Sequence, residues 1–245
     1  MSRMLYGKNP VLEAIRHSQK LIQKIYLDST HKNKLEYIAI SASKNNLSVE
    51  WIERDKLDRI AGTKDHQGVA AMLAGFPYTS LKDFLTRKSI GPRTVVLLDD
   101  VFDPMNLGAI IRAMATFGAD LLIIPKIGAC QITPVVSKAS AGGTEILPIA
   151  RETNIASCIE KLKKTGFWIA ALTLEGATNI HQSDLSGDIA FVAGSEGKGI
   201  RERVSSVCDF KVWIPTGGKL SSLNVSQAVA CALMERYRQI AARQK

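Results

Sequence analysis

The sequence contains no long hydrophobic run. Its 245 residues are 46% hydrophobic, but no stretch approaches the roughly 18 consecutive apolar residues that a membrane-spanning helix needs. The apolar run at 94–98 ends at Asp99 and Asp100, and the N-terminus lacks the apolar core of a signal peptide. These absences exclude a transmembrane helix and predict a cytoplasmic protein with no membrane partner.

Cysteine and histidine are too few and too scattered for a metal centre. No C-x-x-C pair occurs, and no zinc site with the usual ligand spacing can be written from these residues. They are Cys130, Cys158, Cys208, Cys231, His17, His31, His66 and His181. We therefore expect buried free thiols and no bound metal.

The usual nucleotide-binding patterns are absent as well. A dinucleotide-binding fold places G-x-G-x-x-G directly after its first strand, whereas the predicted strand at 94–99 is followed by a single glycine, Gly108. Neither Gly-Lys pair, at 197–198 and 218–219, has the surrounding residues of a Walker A loop. The sequence therefore disfavours an NAD-dependent oxidoreductase and ATP or GTP chemistry.

Positive charge, in contrast, is in excess. The chain has 32 lysines and arginines against 23 aspartates and glutamates, which gives a net charge of +9. Such a balance favours a polyanionic partner. Nucleic acid is the first candidate, ahead of an anionic membrane surface.

The first 75 residues predict a small α/β domain with a basic surface. Asn9 is expected to cap a helix that has Pro10 at its first position, and a second helix is predicted at 32–44. Strands are predicted at 24–27, 48–52 and 68–73. Residues 76–93 hold prolines and a glycine around a short helix at 81–85, and they are predicted to be a linker.

From residue 94 onwards, strand and helix signals alternate. Strands are predicted at 94–99, 120–124, 167–173, 189–193 and 210–214, and helices at 106–117, 153–164, 200–206 and 224–242. This alternation is typical of a parallel α/β sheet with helices on both faces, so we expect one α/β domain over 94–245. Ligands of such sheets bind beyond the carboxyl ends of the strands.

Two glycine-rich loops follow the last two predicted strands. The first, 194–199, carries Glu196, and the second, 214–226, carries Ser222 and Asn224. Glycine lets the backbone approach a ligand closely, so the two loops could enclose a flat heterocycle. Simple tight turns are the competing interpretation, and a helix N-cap is the alternative role of Asn224.

A third polar segment follows the strand at 94–99. Asn106 is expected to cap a helix whose apolar face includes Ile110 and Met114, and Arg112 lies off that face. A solvent-exposed helix arginine is the simpler interpretation of Arg112 alone. Its place beside two other polar loops at one sheet edge favours a functional role.

Together these three segments resemble the three motifs of the SpoU (TrmH) family of RNA ribose 2′-O-methyltransferases, in the SPOUT superfamily. The first motif, N-x-G-x-x-x-R-x-x-x-x-x-G, is met at Asn106, Gly108, Arg112 and Gly118. The second resembles 194–199, and the third resembles Ile-Pro at 214–215 followed by 222–226. Order and spacing fit, and the resemblance covers 94–245.

The chain departs from the family pattern at two places. Thr216 follows the Ile-Pro of the third motif, where relatives often have methionine. The segment 138–145 fits only loosely, so Glu145 is given no catalytic role.

The N-terminal part adds a narrower resemblance. Residues 6–14 and 66–70 look like the start and end of the small RNA-binding domain, similar to a ribosomal protein, of the RlmB-type 23S rRNA guanosine 2′-O-methyltransferases. The resemblance implies that 1–75 bind the substrate and that the substrate is ribosomal RNA or a pre-ribosomal particle. It also implies a homodimer and a deep trefoil knot in the C-terminal parallel-sheet domain.

The same resemblance implies a site. The donor would be S-adenosyl-L-methionine, with no metal, and the residues that match its binding positions are Gly194, Ile214 and Leu223. The residues implied in catalysis are Arg112, Asn106, Glu196, Ser222 and Asn224. Because a guanidinium stays protonated, we expect Arg112 to clamp a phosphate and stabilise the developing alkoxide rather than to act as a base.

Alternatives stay open at this point. The motifs also fit a tRNA ribose methyltransferase or a resistance-type rRNA methyltransferase, and an RNA-binding assembly factor could keep the fold without the chemistry. Basic residues in the small domain are candidate phosphate contacts or simply a solvated surface. They include Lys8, Arg16, Lys20 and Lys24.

Overall fold

The computed structural model describes residues 2–195, 197–220 and 222–243. They form two compact units. The first unit comprises the chain up to Pro77 together with Ile132–Ile146, and the second comprises Tyr78–Gln131 together with the chain from Leu147 onwards.

Strands and helices are numbered in chain order. The strands are β1 (Ser2–Tyr6), β2 (Ile22–Asp28), β3 (Val49–Ile52), β4 (Val69–Ala74), β5 (Thr94–Asp99), β6 (Leu121–Pro125), β7 (Ile149–Glu152), β8 (Trp168–Leu172), β9 (Thr178–Asn179), β10 (Ile189–Gly194) and β11 (Phe210–Trp213). The helices are α1 (Lys8–His17), α2 (Lys32–Lys44), α3 (Arg54–Ala61), α4 (Leu81–Thr86), α5 (Pro104–Thr116), α6 (Pro134–Ala139), α7 (Ile155–Lys163), α8 (Glu202–Ser205) and α9 (Val225–Arg243).

The first unit is built on a four-stranded sheet in the order β1-β4-β2-β3. Strand β4 runs antiparallel to both of its neighbours, while β2 and β3 are parallel. Helix α1 contributes Val11, Ala14 and Ile15 to the core, and this spacing places all three on one helix face.

Helix α1 begins earlier than predicted. It starts at Lys8 with Gly7 as the N-cap, so the expectation that Asn9 caps it is wrong. Asn9 and Pro10 lie in the first turn, where the missing N–H of proline is tolerated. Gly7 has a φ of 99°, a backbone conformation that glycine adopts readily and other residues rarely do.

The segment Ile132–Ile146 groups with the first unit, although the predicted domain at 94–245 included it. Glu145 is buried and accepts hydrogen bonds from both terminal nitrogens of Arg3, at 2.8 and 2.7 Å. Thr144 donates a further bond to it at 3.2 Å. Glu145 therefore has a packing role within this unit.

The second unit carries a seven-stranded sheet in the order β7-β6-β5-β10-β8-β11-β9. Every neighbouring pair is parallel, so the predicted parallel α/β fold is confirmed. All residues of β5 and β10 are buried, which explains why their sequences are continuous apolar runs. Asp99 pairs with Gly194, so the loops after these two strands start side by side.

Helix α4 lies inside the predicted linker at 76–93. Its Leu81 and Phe84 are buried in the core of the second unit. Ser80 caps the helix by accepting a hydrogen bond from the main chain of Asp83. This segment therefore packs as part of the second unit.

Helix α5 begins at Pro104, capped by Asp103, whose carboxylate accepts a hydrogen bond from the main chain of Met105 at 3.0 Å. The expectation that Asn106 caps this helix is therefore wrong. Asp103 and Pro104 combine a favoured cap residue with the favoured first residue, and they lie ahead of Asn106 in the chain. Asn106 instead lies in the first turn.

Helix α9 is anchored by a buried arginine. Arg236 is 1% exposed. It donates to the Thr94 hydroxyl at 2.6 Å, to the Arg93 carbonyl at 3.0 Å and to the Leu185 carbonyl. Burial lowers the pKa of Arg236 to about 10, so the side chain is still charged at neutral pH. These contacts hold α9 at the amino end of β5.

In the part of the chain that the structure describes, no helix is long and apolar enough to cross a membrane, and no group of three or more His, Cys, Asp and Glu side chains is placed to hold a metal. The four cysteines are unpaired, and only Cys158 is buried. Burial raises the pKa of Cys158 to about 12, and the partial burial of Cys208 raises its pKa to about 11, so both thiols are unreactive at neutral pH.

Candidate active site

A cavity of about 610 Å³ opens at the carboxyl ends of β8, β10 and β11. Its walls are the loops that follow these strands and the first turn of α9. Five of the predicted site residues line it: Gly194, Ile214, Ser222, Leu223 and Asn224. The position and the volume of this cavity match those of a small-molecule site in a parallel α/β sheet, for which a volume of roughly 300–1,000 Å³ is typical.

The cavity has an apolar wall and a polar rim. The apolar lining residues are Leu172, Ala193, Val212, Ile214, Leu223, Val225 and Ala228. Among its described lining residues the charged ones are Glu175 and Lys198. The sequence analysis did not identify the loop after β8, with Thr173 and Glu175, as part of the site. Its place beside the cavity follows from the strand order, because β8 lies beside β10 in the sheet.

Gly194, at the end of β10, is required by the loop that follows it. The main chains of Ser195 and Gly199 exchange hydrogen bonds of 3.1 and 2.9 Å, which folds the loop back over its own strand. A Cβ atom on Gly194 would lie 2.1 Å from the Gly199 carbonyl group. This close approach of the chain to itself explains the glycine independently of any ligand.

An ion pair ties the far end of the same loop to β5. Asp99 is fully buried and accepts hydrogen bonds from the main-chain nitrogen of Arg201 at 2.9 Å, from its Nε at 3.0 Å and from a terminal guanidinium nitrogen. The bond to Asp99 raises the pKa of Arg201. The sequence analysis missed this pair, although an aspartate ending a buried apolar strand needs a partner and so carries a signal.

Asn106 and Asn224 meet at the starts of α5 and α9. The Asn224 amide donates to the side-chain oxygen of Asn106 at 3.0 Å. The Asn224 side-chain oxygen accepts a hydrogen bond from the main chain of Ser226 at 2.8 Å. The main-chain carbonyl of Asn224 accepts one from the main chain of Ala228 at 2.9 Å. Asn224 is therefore an N-cap of α9 and a link to α5 at once.

Arg112 lies apart from this contact. It is exposed on α5, about 9 Å further along the helix than Asn106 and about 240° around its axis. Neither residue is among the described lining residues of the cavity. Within 2–195, 197–220 and 222–243, the Arg112 guanidinium forms no ion pair. Glu196, also predicted to be catalytic, lies outside the described residues.

Two family models match this chain. The model of the SpoU rRNA methylase family matches residues 93–234, a stretch that contains all three motifs and the cavity. The chain belongs to this SpoU family. A second model, described as RNA 2′-O ribose methyltransferase substrate binding, matches residues 4–79 of the SpoU protein. The resemblance drawn from the motifs is thereby confirmed at the level of the family.

Two of the relatives below extend over nearly the whole SpoU protein, and the third covers about two thirds of it. A Bacillus subtilis protein, YacO, named for the TrmH family of tRNA/rRNA methyltransferases, is 35% identical over 235 residues, which are 95% of this chain and 94% of YacO. The AdoMet-bound rRNA methyltransferase from Sinorhizobium meliloti has a TM-score of 0.80 at 24% identity, covering 98% of this chain and 88% of its own. The A. aeolicus TrmH/SpoU tRNA modifying enzyme has a TM-score of 0.58 at 25% identity, covering 67% of this chain and 82% of its own.

Proposed function

We propose that this SpoU protein transfers a methyl group from S-adenosyl-L-methionine to a ribose 2′-hydroxyl of RNA. The cavity at the ends of β8, β10 and β11 carries the proposal, because two of its walls are the loops that match the second and third family motifs. The donor-bound S. meliloti protein, which has the same fold, supports the choice of donor.

The lining residues fit the chemistry of this donor. Val212, Ile214 and Leu223 offer apolar surface to a flat adenine ring, and loop main-chain groups offer hydrogen bonds to its edge. The Glu175 carboxylate suits a ligand that carries positive charge. When bound, the donor supplies a methyl group activated by a positively charged sulfur. Gly194 remains a proposed donor-binding residue, and its main chain would make the contact with the donor.

Arg112 is the proposed contact for the reacting ribose. Its guanidinium stays protonated, so it binds a neighbouring phosphate and stabilises negative charge on the 2′-oxygen as the hydroxyl proton passes to solvent. Its exposure and its freedom from ion pairs within the described ranges support a partner outside the chain.

The other predicted residues serve mainly in positioning. Asn106 and Asn224 fix the starts of two helices, and Ser222 lines the cavity. We keep Ser222 and Glu196 as proposed polar contacts of the ribose. Positioning two reactants can lower a reaction barrier by about 7–11 kcal/mol, whereas one acid or base group accelerates a reaction about 10²–10⁴-fold. A rigid site therefore matters more here than a strong base.

Ribosomal RNA is the proposed substrate class, with a guanosine of 23S rRNA as the target. The rRNA methyltransferase of S. meliloti covers 98% of this chain, whereas the tRNA modifying enzyme of A. aeolicus covers 67%. The first unit, which includes nearly all of the substrate-binding match at 4–79, supports a large RNA or a pre-ribosomal particle. Transfer RNA is the second candidate, because the name of YacO includes both substrates.

A cytoplasmic homodimer with a deep trefoil knot is the proposed state of the enzyme. Helices α5 and α9 pack together, and apolar side chains on or beside them are exposed. They are Phe102, Met105, Met234 and Tyr237. Their exposure supports the dimer, because a second copy of the chain would bury them.

Transfer of labelled methyl from S-adenosyl-L-methionine tests the proposal. The substrates are undermethylated large-subunit rRNA, small-subunit rRNA and tRNA, and Arg112→Ala is compared with Arg87→Ala, which removes another exposed arginine of the second unit. We expect label in a 2′-O-methyl nucleotide of large-subunit rRNA, lost only with Arg112→Ala.

Other results would change the proposal in defined ways. Label confined to tRNA would keep the reaction and replace the substrate. Donor binding is measured separately by thermal stabilisation, with NAD as the control ligand. A protein that binds RNA but neither binds the donor nor transfers label would be an assembly factor.

A further inference from the structure

The first unit contains a cleft of about 270 Å³ with a cationic rim. Its charged and polar lining residues are Lys8, Asp28, His31, Lys34, Arg54 and Gln67. Lys8 begins α1, Lys34 lies in α2 and Arg54 begins α3. Three separate helices therefore bring positive groups to one concave place.

The carboxylate in this cleft is already engaged. Asp28 is fully buried, and its Oδ1 accepts hydrogen bonds from the main chain and hydroxyl of Thr30 at 2.9 and 2.6 Å. Its Oδ2 lies 3.1 Å from His31 Nδ1 and 3.6 Å from an Arg54 nitrogen. Burial alone would raise the pKa of Asp28, but the bonds from Thr30 and His31 outweigh burial and lower it. Asp28 therefore stays ionised and orients His31 and Arg54.

The two lysines of the cleft differ in their ion pairing from Lys24 and Lys56 of the same unit. Across the described ranges, the ammonium groups of Lys8 and Lys34 form no ion pair. Lys24 and Lys56, by contrast, both pair with Glu50, at 2.7 and 3.3 Å. The permanent cations of the cleft thus exceed its single carboxylate by two charges.

The cleft is also small. Its volume lies below the roughly 300–1,000 Å³ of sites that enclose a whole small ligand, so it suits one group of a larger molecule. Lysine and arginine together are the usual ligands of a phosphate, which arginine can grip with two parallel bonds.

We infer that this cleft binds a backbone phosphate of the RNA substrate, with Lys8, Lys34 and Arg54 as its ligands. The inference rests on the proposed function, in which the first unit binds RNA. It assigns a defined phosphate contact to a concave site, in place of a general attraction spread over a basic surface.

The test measures binding of the full-length protein to a fluorescently labelled RNA hairpin over a range of salt concentrations. Lys34→Gln and Arg54→Gln remove cleft cations, and Lys56→Gln removes another exposed charge, which lies outside the cleft. We expect each cleft variant to raise the Kd roughly tenfold and to reduce the slope of log K against log salt by about 0.7–0.9. Lys56→Gln should change neither, and S-adenosyl-L-methionine should bind all variants equally.

Equal effects of Lys34→Gln and Lys56→Gln on the slope would overturn the inference, provided that circular dichroism shows both variants folded. Binding of inorganic phosphate that depends on Lys34, together with an unchanged RNA slope, would overturn RNA as its source. If the unmodified protein methylates RNA but the cleft variants have the same slope of log K against log salt as the unmodified protein, only the cleft inference fails. If Lys34→Gln reduces the slope but no methyl is transferred and no donor binds, only the proposed function fails.

Discussion

Asn224 and Asn106 are 118 positions apart in the sequence, yet their side chains are joined by a 3.0 Å hydrogen bond. The bond links the first turn of α5 to the residue that caps α9. Asn224 also lines the cavity, so a single amide couples the wall of the candidate site to the helix that carries Arg112.

Substitutions at Asn224 separate its role as the N-cap of α9 from its hydrogen bond to Asn106. Asn224→Ala removes both, whereas Asn224→Asp keeps an oxygen for the cap and loses the amide donor. We expect the alanine variant to lower the free energy of unfolding by about 1–2 kcal/mol and the aspartate variant by less, as measured in urea. Both should slow methyl transfer. Equal losses of stability in the two variants would argue against the cap.

The ion pair between Asp99 and Arg201 predicts a second effect. Arg201→Ala leaves the buried Asp99 carboxylate with only the main-chain hydrogen bond of residue 201, so we expect the free energy of unfolding to fall by about 1–3 kcal/mol and donor binding to weaken. Arg203→Ala, an exposed neighbour, is the control and should change stability by less than about 0.5 kcal/mol. Similar denaturation curves for both variants would contradict an anchoring role.

Gly194→Ala tests the loop that closes over the end of β10. The new Cβ would overlap the Gly199 carbonyl, so the loop must open and calorimetry should detect no donor binding. Gly218→Ala is the matched control, because nothing lies within 4 Å of a Cβ at that position. Retained donor affinity in the Gly194 variant would show that the loop does not shape the donor site.

Glu175 predicts a charge contact with the donor. Glu175→Gln keeps the size of the side chain and removes its charge, so we expect the donor Kd to rise roughly tenfold by calorimetry while stability is unchanged. Glu202→Gln, also exposed in the second unit, should leave the Kd unchanged. If both variants bind the donor normally, Glu175 is only a rim residue.

Glu235 predicts a dependence of stability on acid pH. Hydrogen bonds from Arg238, and then from Gln239 and His181, lower the pKa of Glu235 from 4.5 to about 2. Because the folded pKa lies below the unfolded one, this carboxylate stabilises the fold above about pH 4.5, and the contribution is lost as the pH falls towards 2. The stability difference between the unmodified protein and Glu235→Gln should therefore shrink over that range. A constant difference in a pH series of denaturation curves would contradict the prediction.

Local patterns predicted many of the elements well. The predicted bounds of α2 and β5 are also the observed ones, because one has a clear helical period and the other is buried on both faces. The patterns do not predict β1, β7 or β9, nor α3 and α6. These strands have between two and five residues and these helices have six and eight, so each shows at most a weak period. Length is not the whole reason, because β3 and α4 are equally short and were predicted.

Sequence patterns were enough to predict the alternating α/β arrangement, the family and five of the cavity-lining residues, because these depend on local periodicity and on short motifs. The folded chain was needed to show that β10 lies between β5 and β8, that Asp99 holds Arg201 and that Glu175 lines the cavity. Pairing between distant strands follows from how their buried faces pack together. No local period records that choice, so the contacts that shape the site become visible only in the folded chain.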